Sequence, residues 1–138
     1  MVPKLTAWEH FNEDDTMQRL VTAALFSVCL FSGAALADVV SPTHFWQYHH
    51  ELQAEKPLLV DVRSHQEFIA GHLPNAINIP HDKIAQLATL APDKSQPIFL
   101  YCRSGHRAGL AEHVLKQQGY TRIYNGESYQ TLLKSQPK

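Results

Sequence analysis

The run Leu58-Leu59-Val60-Asp61-Val62 lacks the apolar–polar alternation that marks a strand with one wet face. A run of this kind fits a strand covered on both faces, and such strands belong to parallel sheets packed between helices. The rest of the chain agrees, because strand and helix signals take turns along it. Asp38-Val39-Val40 is a short strand candidate. Ser41-Pro42 supplies a cap and a first-turn proline for a helix over residues 43–53, with Phe45, Trp46, His49 and Leu52 at helical spacing. Ser64-His65-Gln66-Glu67 is a capping box that opens a short helix ending at Gly71. Ala76-Ile77-Asn78-Ile79 is a strand stopped by Pro80, and residues 82–90 read as a helix with Ile84, Leu87 and Leu90 on one face. Ile98-Phe99-Leu100-Tyr101 is the next strand. A helix over residues 108–118 follows, with Leu110, Val114 and Leu115 inward, Glu112 and Lys116 outward, and Gly119 at its C-terminal cap. Arg122-Ile123-Tyr124 is the last strand, and residues 128–133 form a closing helix. These signals predict one α/β domain with a mainly parallel five-stranded sheet flanked by helices on both faces.

Ligands of such sheets bind at the carboxyl ends of the strands. Asp61 and Arg63 stand at one such end. At another stands the run Cys102-Arg103-Ser104-Gly105-His106-Arg107, between a strand and a helix. Backbone N–H groups and the positive end of the helix dipole converge on the cysteine sulfur there. Arg103 and Arg107 flank it. All of these favour thiolate over thiol, and so a nucleophile. The bland alternative is an inert core cysteine, which two arginines and a glycine argue against. Gly105 supplies backbone geometry that other residues resist. An unpaired positive charge is unfavourable at a helix N-terminus, so Arg107 reads as a functional or loop-bracing residue. Asp61 is either a strand-end carboxylate bonded to backbone or to Arg63, or a group that positions the loop or its arginine. Glu67 reads as a capping residue, and His106 as a proton relay or a solvated side chain.

The formal net charge is −1 and there is no Lys/Arg-rich block, so a nucleic-acid partner is not expected. His44, His49, His50, His65, His72, His81 and His113 are scattered without ligand spacing, so no metal is expected. Phe45 and Trp46 read as core and rim packing. Cys29 and Cys102 lie in such different contexts that they are not expected to pair.

Residues 20–31 read LVTAALFSVCLF, follow Arg19, and lead to Ala35-Leu36-Ala37. That is the apolar core and cleavage site of an export signal over residues 17–37, with cleavage between Ala37 and Asp38. Glu9, Glu13, Asp14 and Asp15 do not suit a signal's basic start, so residues 1–16 are expected to be an extension upstream of a true start at Met17. The competing expectation is an uncleaved membrane anchor over residues 20–37. Cleavage leaves residues 38–138 as the folded domain, in the periplasm or outside the cell, with no stable membrane anchor. That segment has net charge +1 and holds Cys102 as its one thiol.

Two stretches carry a family resemblance. Asp61-Val62-Arg63, Glu67-Phe68, Gly71-His72-Leu73 and Asn75-Ala76-Ile77-Asn78-Ile79-Pro80 resemble the N-terminal signature of rhodanese domains. Cys102-x-x-Gly105-x-Arg107-Ala108 resembles their active-site loop. The likeness covers residues 38–134 and is similar to single-domain periplasmic sulfurtransferases. It implies that Cys102 carries a sulfane sulfur as a persulfide. It implies that residues 103–107 (Arg103, Ser104, Gly105, His106 and Arg107) hold that sulfur and an anionic donor such as thiosulfate. It also implies an acceptor that is a thiol, or cyanide in an assay. The sulfur-transfer chemistry implied by the resemblance needs no organic cofactor. The chain departs from the family at Asn125-Gly126-Glu127, where many members have two glycines, which puts Glu127 at the pocket rim and leaves donor preference open. Cysteine phosphatases and arsenate reductases have a similar loop that is one residue longer, and a non-catalytic binding module is the remaining alternative.

Overall fold

The computed structural model describes residues 39–138, so the expectations for residues 1–16, the export signal and Cys29 lie outside the described residues. The two apolar runs become the centre of the sheet. Strand β1 is Leu58–Asp61, β2 is Ile77–Asn78, β3 is Ile98–Cys102 and β4 is Ile123–Ser128. They lie in the order β2-β1-β3-β4, and every pairing is parallel. The helices are α1 (Pro42–Glu51), α2 (His65–Ala70), α3 (Leu87–Leu90), α4 (His106–Gln117) and α5 (Tyr129–Lys134), with short 3-10 turns at Gln53–Glu55 and His81–Gln86.

Alternate residues of the central strands divide the core into two layers, as the two-residue period of a strand requires. Val60, Ile98, Leu100 and Cys102 point to one face and pack with Ile84, Leu87, Ala108, Ala111 and Leu115. Leu59, Phe99 and Tyr101 point to the other, where Phe45, Trp46 and Leu132 cover them. Phe45 and Phe99 meet edge to face with centroids 5.1 Å apart, and the Trp46 indole N–H donates to the Leu132 carbonyl at 2.9 Å. Helices therefore flank both faces of an α/β sheet.

The sheet has four strands among the described residues, where five were expected. The first candidate shrinks to a single parallel bridge between Val39 and Asn125. Val40 N–H donates to the Asn125 carbonyl at 3.0 Å, and then Ser41 caps α1 and Pro42 begins it. The helix start leaves no room for a second ladder pair.

Two helix faces also differ from expectation. In α4 the inward residues are Ala108, Ala111, Glu112 and Leu115, at the i, i+3, i+4, i+7 spacing of one stripe. Leu110 is 45% exposed, whereas Glu112 is 4% exposed. The helix starts at His106, and that start sets the phase; apolarity alone misjudged it. Residues 82–90 begin as a 3-10 turn before the single turn of α3, and the chain buries Ala91 in place of Leu90, which is 62% exposed.

Strand β4 bulges where it approaches the loop. Leu100 pairs with Asn125 but Cys102 pairs with Ser128, so Gly126 and Glu127 together oppose Tyr101. Glu127 takes a left-handed φ of 60°. Gly126 passes so close to the core that a Cβ there would lie 2.6 Å from Phe45 Cδ2 and 2.8 Å from Leu132 Cδ1. Gly126→Ala is expected to lower the unfolding free energy by about 1–3 kcal/mol through overpacking. Urea denaturation measures it, and an unchanged midpoint would mean that α1 and α5 yield freely.

Candidate active site

The site begins where β3 stops. Cys102 is the last residue of a strand buried along its whole length, and the cysteine itself is fully buried. The chain then turns through Arg103 and Ser104, both exposed, to Gly105, which caps α4. Gly105 N–H donates to Cys102 Sγ at 3.0 Å. The turn needs glycine, for φ is +101° and a Cβ would come 3.2 Å from that of Glu127. The sulfur thus sits at the N-terminal end of a helix, held by a main-chain donor. Such a setting favours an anion.

The three arginines near this loop have different fates. Arg107, in the first turn of α4, is forked onto Glu67: Nη1 donates to Oε2 at 2.7 Å and Nη2 to Oε1 at 2.9 Å. Glu67 is also the third residue of α2 and closes its capping box with Ser64. Its carboxylate accepts from Ser64 N–H at 2.9 Å while its own N–H reaches Ser64 Oγ at 3.2 Å. Arg107, helped by Ser64 and opposed by burial, holds the Glu67 carboxyl at about 2, well below its ordinary 4.5. The same fork raises the Arg107 value. One side chain therefore joins the start of α2 to the start of α4.

Arg63 is buried at the end of β1. Its N–H donates to Asp61 Oδ1 at 2.9 Å, its Nε reaches both carboxylate oxygens, and its Nη2 lies 2.6 Å from Oδ2. Nη2 also donates to the Gly71 carbonyl at 2.7 Å, and the guanidinium lies over the Tyr129 ring, 4.3 Å from its centroid. Burial disfavours this cation, but the Asp61 hydrogen bonds and charge outweigh it and raise its value. Asp61 is thus bonded to Arg63, by backbone and side chain together. Arg103 has no carboxylate partner among the described residues.

A cleft of about 550 Å³ opens beside the loop, with Arg63, Glu67, Gly71, Arg103, Tyr129 and Leu133 among its walls. Tyr101 lies beneath it; its hydroxyl accepts Leu73 N–H at 3.0 Å, and burial pushes its ionisation up. The loop residues Cys102, Gly105 and Arg107 and the cleft residues Arg63 and Arg103 thus occupy one end of the sheet. His106, the first residue of α4, is exposed, and its imidazole has no hydrogen-bond partner among the described residues. No group of three or more His, Cys, Asp or Glu side chains gathers to hold a metal among the described residues.

Several contributors escaped the sequence. The Ser64–Glu67 spacing identifies a capping box but says nothing of Arg107, forty residues away. Tyr129 gave no signal, since the groups it packs against, Arg63 and Tyr101, are distant in the chain. Glu112, expected to face water, is buried behind the loop.

The comparisons agree with this geometry. The family model described as a rhodanese-like domain matches residues 46–127, more than half of the chain. Thiosulfate sulfurtransferase PspE of Escherichia coli is 36% identical over 67 residues, covering 48% of this chain and 64% of that protein. A sulfurtransferase of Allochromatium vinosum is 39% identical over 71 residues, covering 51% of this chain and 65% of its own length. The chain therefore spans just under two thirds of either curated relative. Among solved structures, an E. coli rhodanese with anions is 32% identical with a TM-score of 0.52, covering 54% of this chain and 89% of that one. The human single-domain sulfurtransferase TSTD1 is 27% identical with a TM-score of 0.58, covering 73% of this chain and 99% of that one. On sequence match, strand order and loop position together, the chain belongs to the rhodanese-like domain family.

Proposed function

We propose that this protein is a sulfurtransferase that moves a sulfane sulfur from thiosulfate, or a similar anionic donor, to a thiophilic acceptor through a Cys102 persulfide. The observation that carries the reading is the Gly105 N–H placed 3.0 Å from Cys102 Sγ at the mouth of α4. The Cys102 thiolate attacks the outer sulfur of thiosulfate. The S–S bond of the donor breaks, and sulfite leaves with the bonding electron pair. The product is Cys102–S–S⁻, and charge is conserved. A thiol in its thiolate form, or cyanide in an assay, then takes the outer sulfur and returns the Cys102 thiolate. This is covalent catalysis by double displacement. Gly105 and the neighbouring loop amides of Ser104 and His106 stabilise the terminal sulfur as an oxyanion hole stabilises oxygen. No metal or organic cofactor takes part in these steps.

Within this reading the arginines divide the work. Arg103, exposed at the cleft and unpaired among the described residues, holds the sulfite end of the donor. Arg107 keeps the loop in shape through Glu67. Arg63 and Asp61 support the cleft wall. The shorter cysteine–arginine spacing supports this chemistry over phosphatase or arsenate chemistry. A non-catalytic binding module is the alternative that an assay decides.

Mass spectrometry of the purified protein after thiosulfate exposure should show the gain of one sulfur atom at Cys102, with sulfite released during that exposure and thiocyanate released when cyanide is added. Cys102→Ala should abolish both. A wild type that takes up no sulfur and turns nothing over would make the domain a binding module.

The Glu67–Arg107 fork sets an acid limit. A carboxyl held at about 2 in the folded protein, against its ordinary 4.5, contributes stability that is fully present above about 4.5 and is lost as pH falls toward 2. The melting temperature of the wild type should therefore drop more steeply than that of Glu67→Gln across this window. Thermal melts at stepped pH check it; parallel curves would remove Glu67 as the titrating brace.

The folded domain over residues 38–138 is proposed to act in the periplasm after removal of residues 17–37. Among the described residues no helix is long and apolar enough to cross a membrane. Intact-mass measurement on a periplasmic extract should place the mature N-terminus at Asp38. A full-length mass in the membrane fraction would show an anchor.

A further inference from the structure

A second cavity of about 370 Å³ reaches the loop at Gly105, shares no lining residue with the cleft, and is walled by Glu112, His113, Lys116, Asn125 and Glu127, among others. Its wall holds a buried polar chain that the sulfur chemistry does not itself use. Glu112 is almost fully buried, and Asn125 is 2% exposed. Asn125 Nδ2 donates to Glu112 Oε2 at 3.0 Å, while Asn125 Oδ1 accepts Glu127 N–H at 2.9 Å. Lys116 Nζ lies 2.7 Å from Glu112 Oε1, close enough for an ion pair but out of line for a hydrogen bond.

The direction of these bonds is fixed by chemistry. An ionised carboxylate only accepts, so Glu112 forces Asn125 to present its NH₂ toward α4 and its oxygen toward the bulge. The bulge residue Glu127 is thereby pinned in its left-handed conformation, φ 60°. In that conformation its side chain lies on Gly105: a Cβ added there would meet Glu127 Cβ at 3.2 Å and Oε1 at 3.3 Å. Gly105 is the residue whose N–H reaches the sulfur. Burying a carboxylate costs free energy that an apolar residue at position 112 would avoid. The cost is intelligible if the carboxylate sets a direction.

We infer that Glu112 is a positioning residue for the sulfur cradle, acting through Asn125 and the β4 bulge on the Gly105 amide. The inference rests on the sulfurtransferase reading above and deepens it: the donor that steadies the persulfide is aimed from behind the loop. Two functions of one helix are joined in this way, since α4 carries both the cradle at its start and Glu112 two turns further on.

The test uses bond polarity. Asn125→Asp sets two carboxylates face to face and removes the donor that Glu112 requires. Adding Glu112→Gln restores a bond of reversed direction, with the glutamine NH₂ donating and the second oxygen at position 125 still free to accept Glu127 N–H. Persulfide formation is followed in a single turnover by rapid quench and mass spectrometry at saturating thiosulfate, and KM is measured separately. Asn125→Asp should slow formation about ten- to a hundred-fold, the scale of a misplaced catalytic group. Its KM should stay near the wild-type value, and the double variant should recover to within about three-fold. A single variant as fast as the wild type, or a double variant as slow as the single one, overturns the positioning role and leaves the sulfurtransferase reading standing. A wild type that forms no persulfide overturns both. If Asn125→Asp does not fold, the double variant decides alone, because it carries the same new carboxylate: folding with near-wild-type rate supports the role, and misfolding or slow formation overturns it.

Discussion

Strand β3 is buried at all five of its positions, with Ile84, Leu87 and α4 on one side and Phe45, Trp46 and Leu132 on the other. A strand covered on both faces has only its end to offer to a ligand, and in a parallel sheet the carboxyl end is where helices begin. Cys102 occupies that last place. Its Cα is fixed by a strand that cannot shift without disturbing both core layers, and its sulfur meets an amide whose position is set by the next element. The precision of the site comes from the sheet, while the loop itself contributes only four residues between Cys102 and Arg107. Sites built on rigid elements hold their geometry better than sites built on loops.

Charge around this point is arranged by subtraction. Three guanidiniums lie at this end of the sheet, but Asp61 neutralises Arg63 and Glu67 neutralises Arg107. What remains is the exposed Arg103, the main-chain dipoles and the Glu127 side chain that lies against Gly105. A cradle with three uncompensated cations would grip any anion and release it slowly. A single exposed cation at the rim can meet an anion without holding it fast. The paired arginines serve geometry: Arg63 ties β1 to Gly71 and Tyr129, and Arg107 ties α4 to α2.

Much of this was legible in the chain. The unalternated run at Leu58 announced a parallel sheet, Ser64 and Glu67 announced a capped helix, and Cys102 to Arg107 announced a turn from a strand into a helix. These are local signals, written within six or seven residues. What escaped were relations between distant segments. The Glu67–Arg107 fork and the Glu112–Asn125 bond join residues that only the β1-β3-β4 order brings together. The fifth strand failed for a local reason, because the cap at Ser41 competes with strand extension and wins. The phase of α4 failed because Glu112 breaks the rule that charge faces water, and it breaks that rule where a buried partner stands ready.

The short last helix carries a further meaning. Leu132 of α5 plugs the core under Phe45, and its carbonyl receives the Trp46 indole, yet Tyr129, Gln130 and Leu133 of the same helix wall the cleft. A helix of six residues has little stability of its own and is held by its packing. Fraying of its outer turn would widen the entrance without touching the sulfur or its amide. The first turn of that helix is anchored differently: Ser128, which caps it, is the strand partner of Cys102, so the inner end of the wall is tied to the sheet and only its outer end is free to set the width of the entrance.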